Sequence, residues 1–379
     1  MRLLIDARLY GLENAGLGRY LNNLILELSK TDTTTQYVIL LRKKYFDSLI
    51  LPSNWQKILA DFRHYSFQEQ FILPGLIKNQ NPDLVHFPHF NVPIFYKGPY
   101  VVTIHDLLMH TQSGMLATTL PAPIYFIKRS AYRLVFDTAV NKSIRIIVPS
   151  HAIKSELVKK YPTTQNKITV TYEGLDNNIS SSNNLKFENP YFVYTGNAYP
   201  HKNLKRLIQA LVLLNTNRDK KIILVIASAR NVFTKRLEKI VADLKAEVLV
   251  KLVGFVPDNE LGGLYQKSLG FVFPSLSEGF GLPGLEAMNA GALVLASEIP
   301  VFKEIYTNHA LYFNQLDFSS IEKIMKAAIE MNPNERKNKI LEGQKFVKKY
   351  SWAKMAKETL DIYAEAIKKE SSDSLRSGK

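Results

Sequence analysis

Cysteine is absent from the 379 residues. That excludes disulfides, thiolate metal ligands and cysteine nucleophiles, and it fits a reducing compartment. No apolar stretch reaches the roughly 18 residues that a membrane-crossing helix needs. The opening MRLLIDARLY carries Asp6 and Arg8 inside a short apolar run, so it reads as a first strand and not as a secretion signal. These absences lead us to expect a cytoplasmic protein. Acids are scarce as well: 34 Asp and Glu stand against 49 Lys and Arg, a net charge of +15. The imbalance is local. Residues 128–167 hold nine bases (Lys128, Arg129, Arg133, Lys142, Arg145, Lys154, Lys159, Lys160 and Lys167) against two acids, Asp137 and Glu156. Such a segment is either a solvated helix face or a contact for an anionic membrane surface or an acidic acceptor.

The length exceeds one hydrophobic core and predicts two domains. Short apolar runs at Leu3–Asp6, Tyr37–Leu41, Asp83–Phe87, Tyr100–Ile104, Ile144–Val148 and Ile168–Tyr172 alternate with amphipathic stretches such as Gly18–Leu28, Gln68–Lys78, Ile124–Val140 and Ala152–Lys160. Strands alternating with helices imply a parallel sheet covered on both faces. Residues 174–189, rich in Asn, Ser and Gly, read as a linker. A second series follows, with strands at Tyr191–Tyr194, Ile222–Ala227, Val248–Leu252, Gly270–Phe273 and Ala292–Ala296, and helices near 201–214, 232–245, 258–267 and 283–290. We therefore expect an α/β protein of two tandem doubly wound domains. The first spans 1–178 and the second 188–350. A helix over 351–369 and a disordered tail, 370–379, follow. Open α/β sheets bind ligands at the carboxyl ends of their strands, so two such sheets facing each other would place a site in a cleft between the domains.

Four motifs lie at predicted strand ends. Gly11, Gly16 and Gly18 open the first helix, where small residues and free N–H groups suit a phosphate, although plain turns use such residues too. His105, in Thr103–Leu107, ends a strand. It either meets a ligand oxygen or is a structural histidine bonded to backbone. His86 and His89 close the preceding strand, at a spacing that fits no metal site. Third, Thr195-Gly196-Asn197 leads through His201-Lys202-Asn203 into a helix expected to begin near Pro200. Lys202 would fall in its first turn, where a cation opposes the helix dipole unless an anion sits there as well. Arg206 adds charge one turn on. The fourth motif, Pro274-Ser275-Leu276-Ser277-Glu278-Gly279-Phe280-Gly281-Leu282-Pro283-Gly284-Leu285-Glu286, turns through glycines and opens a helix. Its two carboxylates can accept hydrogen bonds from sugar and ribose hydroxyls.

Glu278 and Glu286, with seven residues between them, resemble the E-x7-E signature of the retaining family-4 (group 1) glycosyltransferases of the GT-B fold. G-x-G-R-Y near the start, T-I-H-D-L, V-P-S-H-A-I-K-S-E-L at 148–157, H-K-N-L at 201–204, V-G-F-V at 253–256 and Tyr350-Ser351-Trp352 agree in order. The resemblance runs from residue 1 to about 368. It implies two Rossmann-like domains, the first on the acceptor side and the second on the donor side, with the last helix crossing back to the first. It also implies residue roles. Gly16 and Gly18 would approach the donor diphosphate, and His105 would contact the transferred sugar. Lys202 would bind the diphosphate. Val253, Gly254 and Phe255 would border the base. Glu278, with the backbone of Gly279, Phe280, Gly281 and Leu282, would hold the sugar hydroxyls, and Glu286 the ribose. His105, Lys202 and Glu278 are thus the expected catalytic set. The family commonly has an arginine where this chain has Asn197, so one phosphate-neutralising charge is missing or comes from Arg206. The G-N…H-K-N form resembles a mannosyltransferase-like branch. The implied activity is hexosyl transfer with retention, mannose being the first expectation. The donor would be GDP-mannose or a UDP-hexose, and the acceptor a glycan or a lipid-linked sugar. Neither a cofactor nor a metal is required, and no Asp-x-Asp pair is present to hold one beside a nucleotide. The basic segment 128–167 would place the enzyme against the inner membrane face.

Two other readings compete. A nucleotide-sugar 2-epimerase shares the architecture and would interconvert donors without an acceptor. A non-enzymatic binder of anionic surfaces would use the charge but leave Glu278, Glu286 and the glycine loops unexplained; nucleic acid is not expected. A glycoside hydrolase would need its carboxylates on opposite sides of a glycosidic bond, whereas both come here from one turn and helix.

Overall fold

A computed structural model describes residues 1–111, 121–176 and 187–377. Within them the chain forms two compact units. Met1–Leu107, 121–174 and the chain from Ser351 onward make the first; 108–111 and Leu175–Tyr350 make the second.

The first unit is built on seven parallel strands: β1 (Arg2–Asp6), β2 (Gln36–Leu41), β3 (Trp55–Leu59), β4 (Leu84–Phe87), β5 (Tyr100–Thr103), β6 (Arg145–Val148) and β7 (Ile168–Val170), in the order β3-β2-β1-β4-β5-β6-β7. The central strands are buried along their whole length, as unbroken Val, Ile and Leu runs require when helices cover both faces. Helix α1 (Ala15–Thr31) buries Tyr20, Leu21, Leu24, Ile25 and Leu28 at helical spacing. Helices α2 (Ala122–Lys142) and α3 (His151–Lys160) follow. Ser150 caps α3 by accepting from the Ile153 amide.

The second unit has six parallel strands: β8 (Tyr191–Thr195), β9 (Ile223–Ala227), β10 (Val250–Gly254), β11 (Gly270–Phe273), β12 (Val294–Ser297) and β13 (Ala310–Phe313), in the order β10-β9-β8-β11-β12-β13. Helices α4 (Leu204–Leu214), α5 (Leu282–Asn289) and α6 (Pro300–Tyr306) position its site. In each sheet the strand order reverses once, between β1 and β4 and between β8 and β11. The loops leaving those neighbours part to opposite faces, which opens a crevice at their carboxyl ends.

The C-terminal helix, Trp352–Ser377, belongs to the first unit. It buries Trp352, Met355, Ala356, Thr359, Ile362, Tyr363 and Ala366, a stripe of helical period. Gly174 lets it start there, because a Cβ at that position would strike the Trp352 amide.

Several elements differ from the sequence reading. Strands β3 and β13 were not anticipated; both lie on sheet edges and are only partly buried, β3 being broken by Gln56 and Lys57 and β13 spanning four residues. The helix expected over Gln68–Lys78 is two, Phe67–Phe71 and Leu73–Lys78, since Pro74 has no amide to carry one helix through. The tail expected to be disordered from 370 continues the helix to Ser377, with Ser371 and Ser372 donating back to the carbonyls of Ile367 and Lys369. The centre of the expected linker, 177–186, lies outside the described residues.

Candidate active site

Three consecutive residues after β8 clasp the loop after β11. The His201 carbonyl accepts from the Leu276 amide at 2.8 Å. The Lys202 ammonium meets the Glu278 carboxylate at 2.5 Å, with both side chains largely buried. The Asn203 side-chain amide donates to the carbonyls of Pro274 (3.0 Å) and Gln315 (2.8 Å). Its oxygen accepts from Arg206 at 2.9 Å. Asn203 reaches both carbonyls from the left-handed region, at φ 59°, a conformation that Asn tolerates better than most side chains. Here the structure corrects the expected helix start. Pro200–Lys202 is a separate 3-10 turn, and α4 begins only at Leu204. Lys202 therefore stands before the helix, and its charge is matched by Glu278 as well as by any anion that binds.

The turn into α5 is equally constrained. Gly281 caps it at φ 99°. The Tyr306 hydroxyl from α6 donates to the Gly281 carbonyl at 2.6 Å. A Cβ at either Gly281 or Gly284 would collide with that hydroxyl. The turn so held places the start of α5 at the carboxyl end of β11, with the Gly284 amide bonded back to the Gly281 carbonyl at 3.1 Å and no amide at Pro283. Glu286 lies one turn into α5 and is half-buried. Burial, with Glu278 next in weight and Glu286 a lesser contributor, drives the Tyr306 phenol well above its ordinary range, so it stays a neutral donor. Near these groups, three buried polar atoms have no partner among the described residues: Asn197 Oδ1, Ser228 Oγ and Ser275 Oγ. They follow β8, β9 and β11, three neighbours in the sheet. Orphaned buried polar atoms grouped at strand ends are what a polar ligand would satisfy. His201 is buried as the neutral imidazole, its pKa pushed down to about 4 by burial and by Lys202.

In the first unit, His105 follows β5. Its Nε2 lies 3.0 Å from the Pro88 carbonyl, and its Nδ1 lies 3.4 Å from the Glu173 carboxylate. A carbonyl only accepts, so Nε2 carries a proton. The edge of Tyr20 packs on the ring at 4.8 Å between centroids. A second polar cluster sits where β1 and β4 end. The Arg8 guanidinium binds both oxygens of Asp6, at 2.8 and 2.6 Å, and reaches Glu69 at 2.7 Å. Glu69 also accepts from Asn91 and from the Tyr65 amide. Burial opposes ionisation of Asp6, but the adjacent guanidinium outweighs it and holds the carboxyl below the usual range. Burial wins at Glu69 and raises it. Arg8 Nη1 has no partner in the protein.

Residues 176–346 match the family Glycosyl transferases group 1, and residues 15–178 match Glycosyltransferase Family 4. The O-antigen chain mannosyltransferase RfbU of Salmonella typhimurium is 30% identical over 266 residues, covering 69% of this chain and 69% of that protein. This chain belongs to the group 1, family 4 glycosyltransferases. O-antigen chain mannosyltransferase B of Escherichia coli is 30% identical over 173 residues, covering 46% of this chain and 45% of its own. Among solved structures, sucrose-phosphate synthase of Thermosynechococcus elongatus superposes with a TM-score of 0.76 over 96% of this chain and 98% of its own, at 15% identity. Anabaena HepE, solved with UDP and glucose, gives 0.71 over 96% and 99%, also at 15%. The fold of this glycosyltransferase is thus GT-B.

The expected residues of the glycosyltransferase fall into separate groups. Asn197, Lys202, Arg206, Glu278, Gly279, Phe280, Gly281, Leu282 and Glu286 gather at the switch point of the second unit. Val253, Gly254 and Phe255 lie at the end of β10, two strands from β8, with Phe255 exposed. Gly16, Gly18 and His105 belong to the first unit. Gly16 is exposed in the first turn of α1, where nothing stands near the place of a Cβ. Gly18 is explained by packing: a Cβ there would overlap the Gly11 carbonyl. Sequence reasoning missed Glu173 beside His105, the clasp made by Asn203, and the Asp6–Arg8–Glu69 group. A carboxylate and a guanidinium two residues apart at the end of an apolar strand was the available signal for the last.

Proposed function

We propose that this glycosyltransferase moves a hexose, mannose in the first instance, from a nucleotide-diphosphate donor to a hydroxyl of a glycan or lipid-linked acceptor, with retention at the anomeric carbon. The observation that carries the donor site is the clasp of 201–203 on 274–278. Two cations, Lys202 and Arg206, two carboxylates, three orphaned polar atoms and the start of α5 follow β8, β9 and β11 beside it. The relatives named O-antigen chain mannosyltransferases support mannose and a glycan acceptor, and a structural neighbour named with UDP supports a nucleoside diphosphate. In the reaction, the bond from the anomeric carbon to the diphosphate oxygen breaks. The acceptor oxygen bonds to that carbon on the same face, and its proton passes to the departing diphosphate. Lys202 and the positive end of the α5 dipole stabilise the charge that grows on the leaving group, while Glu278 and Glu286 orient sugar and ribose hydroxyls. Arg206 takes the place of the arginine that Asn197 replaces, so no metal need bridge the phosphates.

Thermal unfolding with GDP-, UDP- and ADP-sugars tests this. A donor at a hundred times its dissociation constant adds about 2.7 kcal/mol of stability. One donor class should stabilise the wild type, and Lys202→Ala or Glu286→Ala should weaken that effect. Chelation of divalent metals should leave transfer intact. Conversion of the donor sugar with no acceptor present would move the activity to a 2-epimerase. No stabilisation by any nucleotide sugar would sink the donor site itself.

A further inference from the structure

Helix α2 carries two apolar faces. One, formed by Tyr132, Phe136, Ala139 and Val140, is buried in the first unit. The other is Ile124, Ile127, Ala131 and Leu134, spaced three and four apart and therefore on one stripe. With about 100° per residue, this stripe points away from the buried face. Ile124 is 45% exposed, Ile127 71% and Leu134 56%, and Phe126, on the flank, is 62% exposed. Lys128 flanks the stripe on one side and Arg133 on the other, and both are exposed. The first acid along the helix is Asp137, after the last stripe residue, and it is occupied by the Tyr161 hydroxyl. No helix among the described residues is long and apolar enough to cross a membrane, so the stripe is not part of a span.

We propose that α2 lies on an anionic bilayer surface, with Ile124, Phe126, Ile127 and Leu134 seated in the acyl boundary and Lys128 and Arg133 reaching up to lipid phosphates. An isolated exposed isoleucine needs no explanation, but four large apolar side chains on one side of one helix, rimmed by bases, do. Basic side chains lay their stems along apolar surface and keep the charge at the headgroups. A helix with apolar residues on its outer face and lysine or arginine on the flanks binds in the interface plane. The charge selects the partner: along α2 four bases, Lys128, Arg129, Arg133 and Lys142, stand against one acid, Asp137, which fits anionic lipid and not a neutral surface. The inference does not depend on donor chemistry, since it concerns a face of the first unit whereas Lys202 and Glu278 belong to the second.

Flotation of the full chain with vesicles tests it, without nucleotide sugar. The chain should float with equal parts phosphatidylglycerol and phosphatidylcholine, and stay behind with phosphatidylcholine alone. Ile127→Glu with Leu134→Glu should reduce binding at least about tenfold, since apolar insertion is lost and repulsion added. Each of Lys128→Glu and Arg133→Glu should reduce it about fivefold or more, and added salt should weaken the wild type in the same direction. All four positions are exposed, so the variants should melt with the wild type, and any donor-induced stabilisation should be unchanged. Equal flotation of wild type and Ile127→Glu/Leu134→Glu would overturn the proposal. So would flotation indifferent to lipid charge. A wild type that ignores vesicles but sediments as a dimer, becoming monomeric in the double variant, would assign the stripe to a second copy of the chain.

Discussion

Asn203 concentrates much of the second unit's local order in one side chain. It takes the left-handed backbone, spans two carbonyls from distant loops and orients Arg206. Asn203→Ala would keep the fold's hydrophobic burial but leave the Pro274 and Gln315 carbonyls unpaired inside the protein. It would also put a Cβ residue without a compensating side chain at positive φ. We expect a loss of about 2–4 kcal/mol of stability, read by urea unfolding, with donor-induced stabilisation reduced as the Lys202–Glu278 pair loses its frame. Asn203→Gly should recover only the backbone share, about 1 kcal/mol. A variant as stable as the wild type would show that the clasp is incidental. The sequence made Lys202, Glu278 and Glu286 legible, because charged residues among glycines after apolar runs stand out. Asn203 stayed hidden, since its partners are 71 and 112 residues away and nothing local announces them. Glu173 was missed for the same reason: it acquires its meaning from His105, 68 residues away.

Burial helped legibility but did not decide it alone, since the partly buried edge strands β7 and β10 were anticipated too. Central strands such as β4, β5, β8 and β9 are buried from end to end, so their composition is unbroken and their positions could be read. Edge strand β3 is interrupted by Gln56 and Lys57, whereas β13 is only four residues long though apolar throughout. The C-terminal helix was readable from its period, but what fastens it was not. The Tyr363 hydroxyl, fully buried, lies 2.6 Å from His86 Nδ1. His86 Nε2 lies 2.8 Å from the Thr103 hydroxyl, which in turn meets Tyr20 of α1 at 3.3 Å. One polar chain thus joins the last helix, β4, β5 and α1. Burial, with His105 adding, pushes the His86 pKa down to about 3, so the ring is neutral and one nitrogen must accept. Tyr363→Phe leaves the buried ring short of a partner and should cost about 1–3 kcal/mol. Lys368→Ala, exposed on the same helix, should stay within about 0.5 kcal/mol. If the two variants unfold alike, the polar chain contributes nothing and apolar burial alone holds the helix.

Over the whole molecule, neutral histidines are unevenly distributed. Burial as the main cause holds His64 near pKa 4, His86 near 3 and His89 well below its usual value, all in the first unit. In the second unit His201 is held near 4. An unfolded histidine takes up a proton near pH 6.5. Between that pH and its folded value, each such group makes the unfolded state bind more protons, so stability falls as pH falls, by about 1.4 kcal/mol per pH unit. Glu69, held above its ordinary value by burial, works in the opposite sense and adds stability as pH falls through its folded value. Asp6 and Asp32, held below theirs, add to acid lability only near pH 4 and under. The histidines therefore dominate from pH 7 to 5.5, and three of them should cost the first unit up to about 4 kcal/mol over that interval. The chain supplies its own probe. Its two tryptophans, Trp55 on β3 and Trp352 at the start of the last helix, are both buried and both in the first unit. Urea unfolding followed by tryptophan fluorescence thus reports that unit alone. Its midpoint should drop steeply between pH 7 and 5.5, while a donor-binding signal from the second unit, where His201 is the one described histidine with a resolved lowering, should shift less. A fluorescence midpoint that stays level across that range would mean these histidines are protonated in the folded protein or already exposed, and the neutral chain through His86 could not stand.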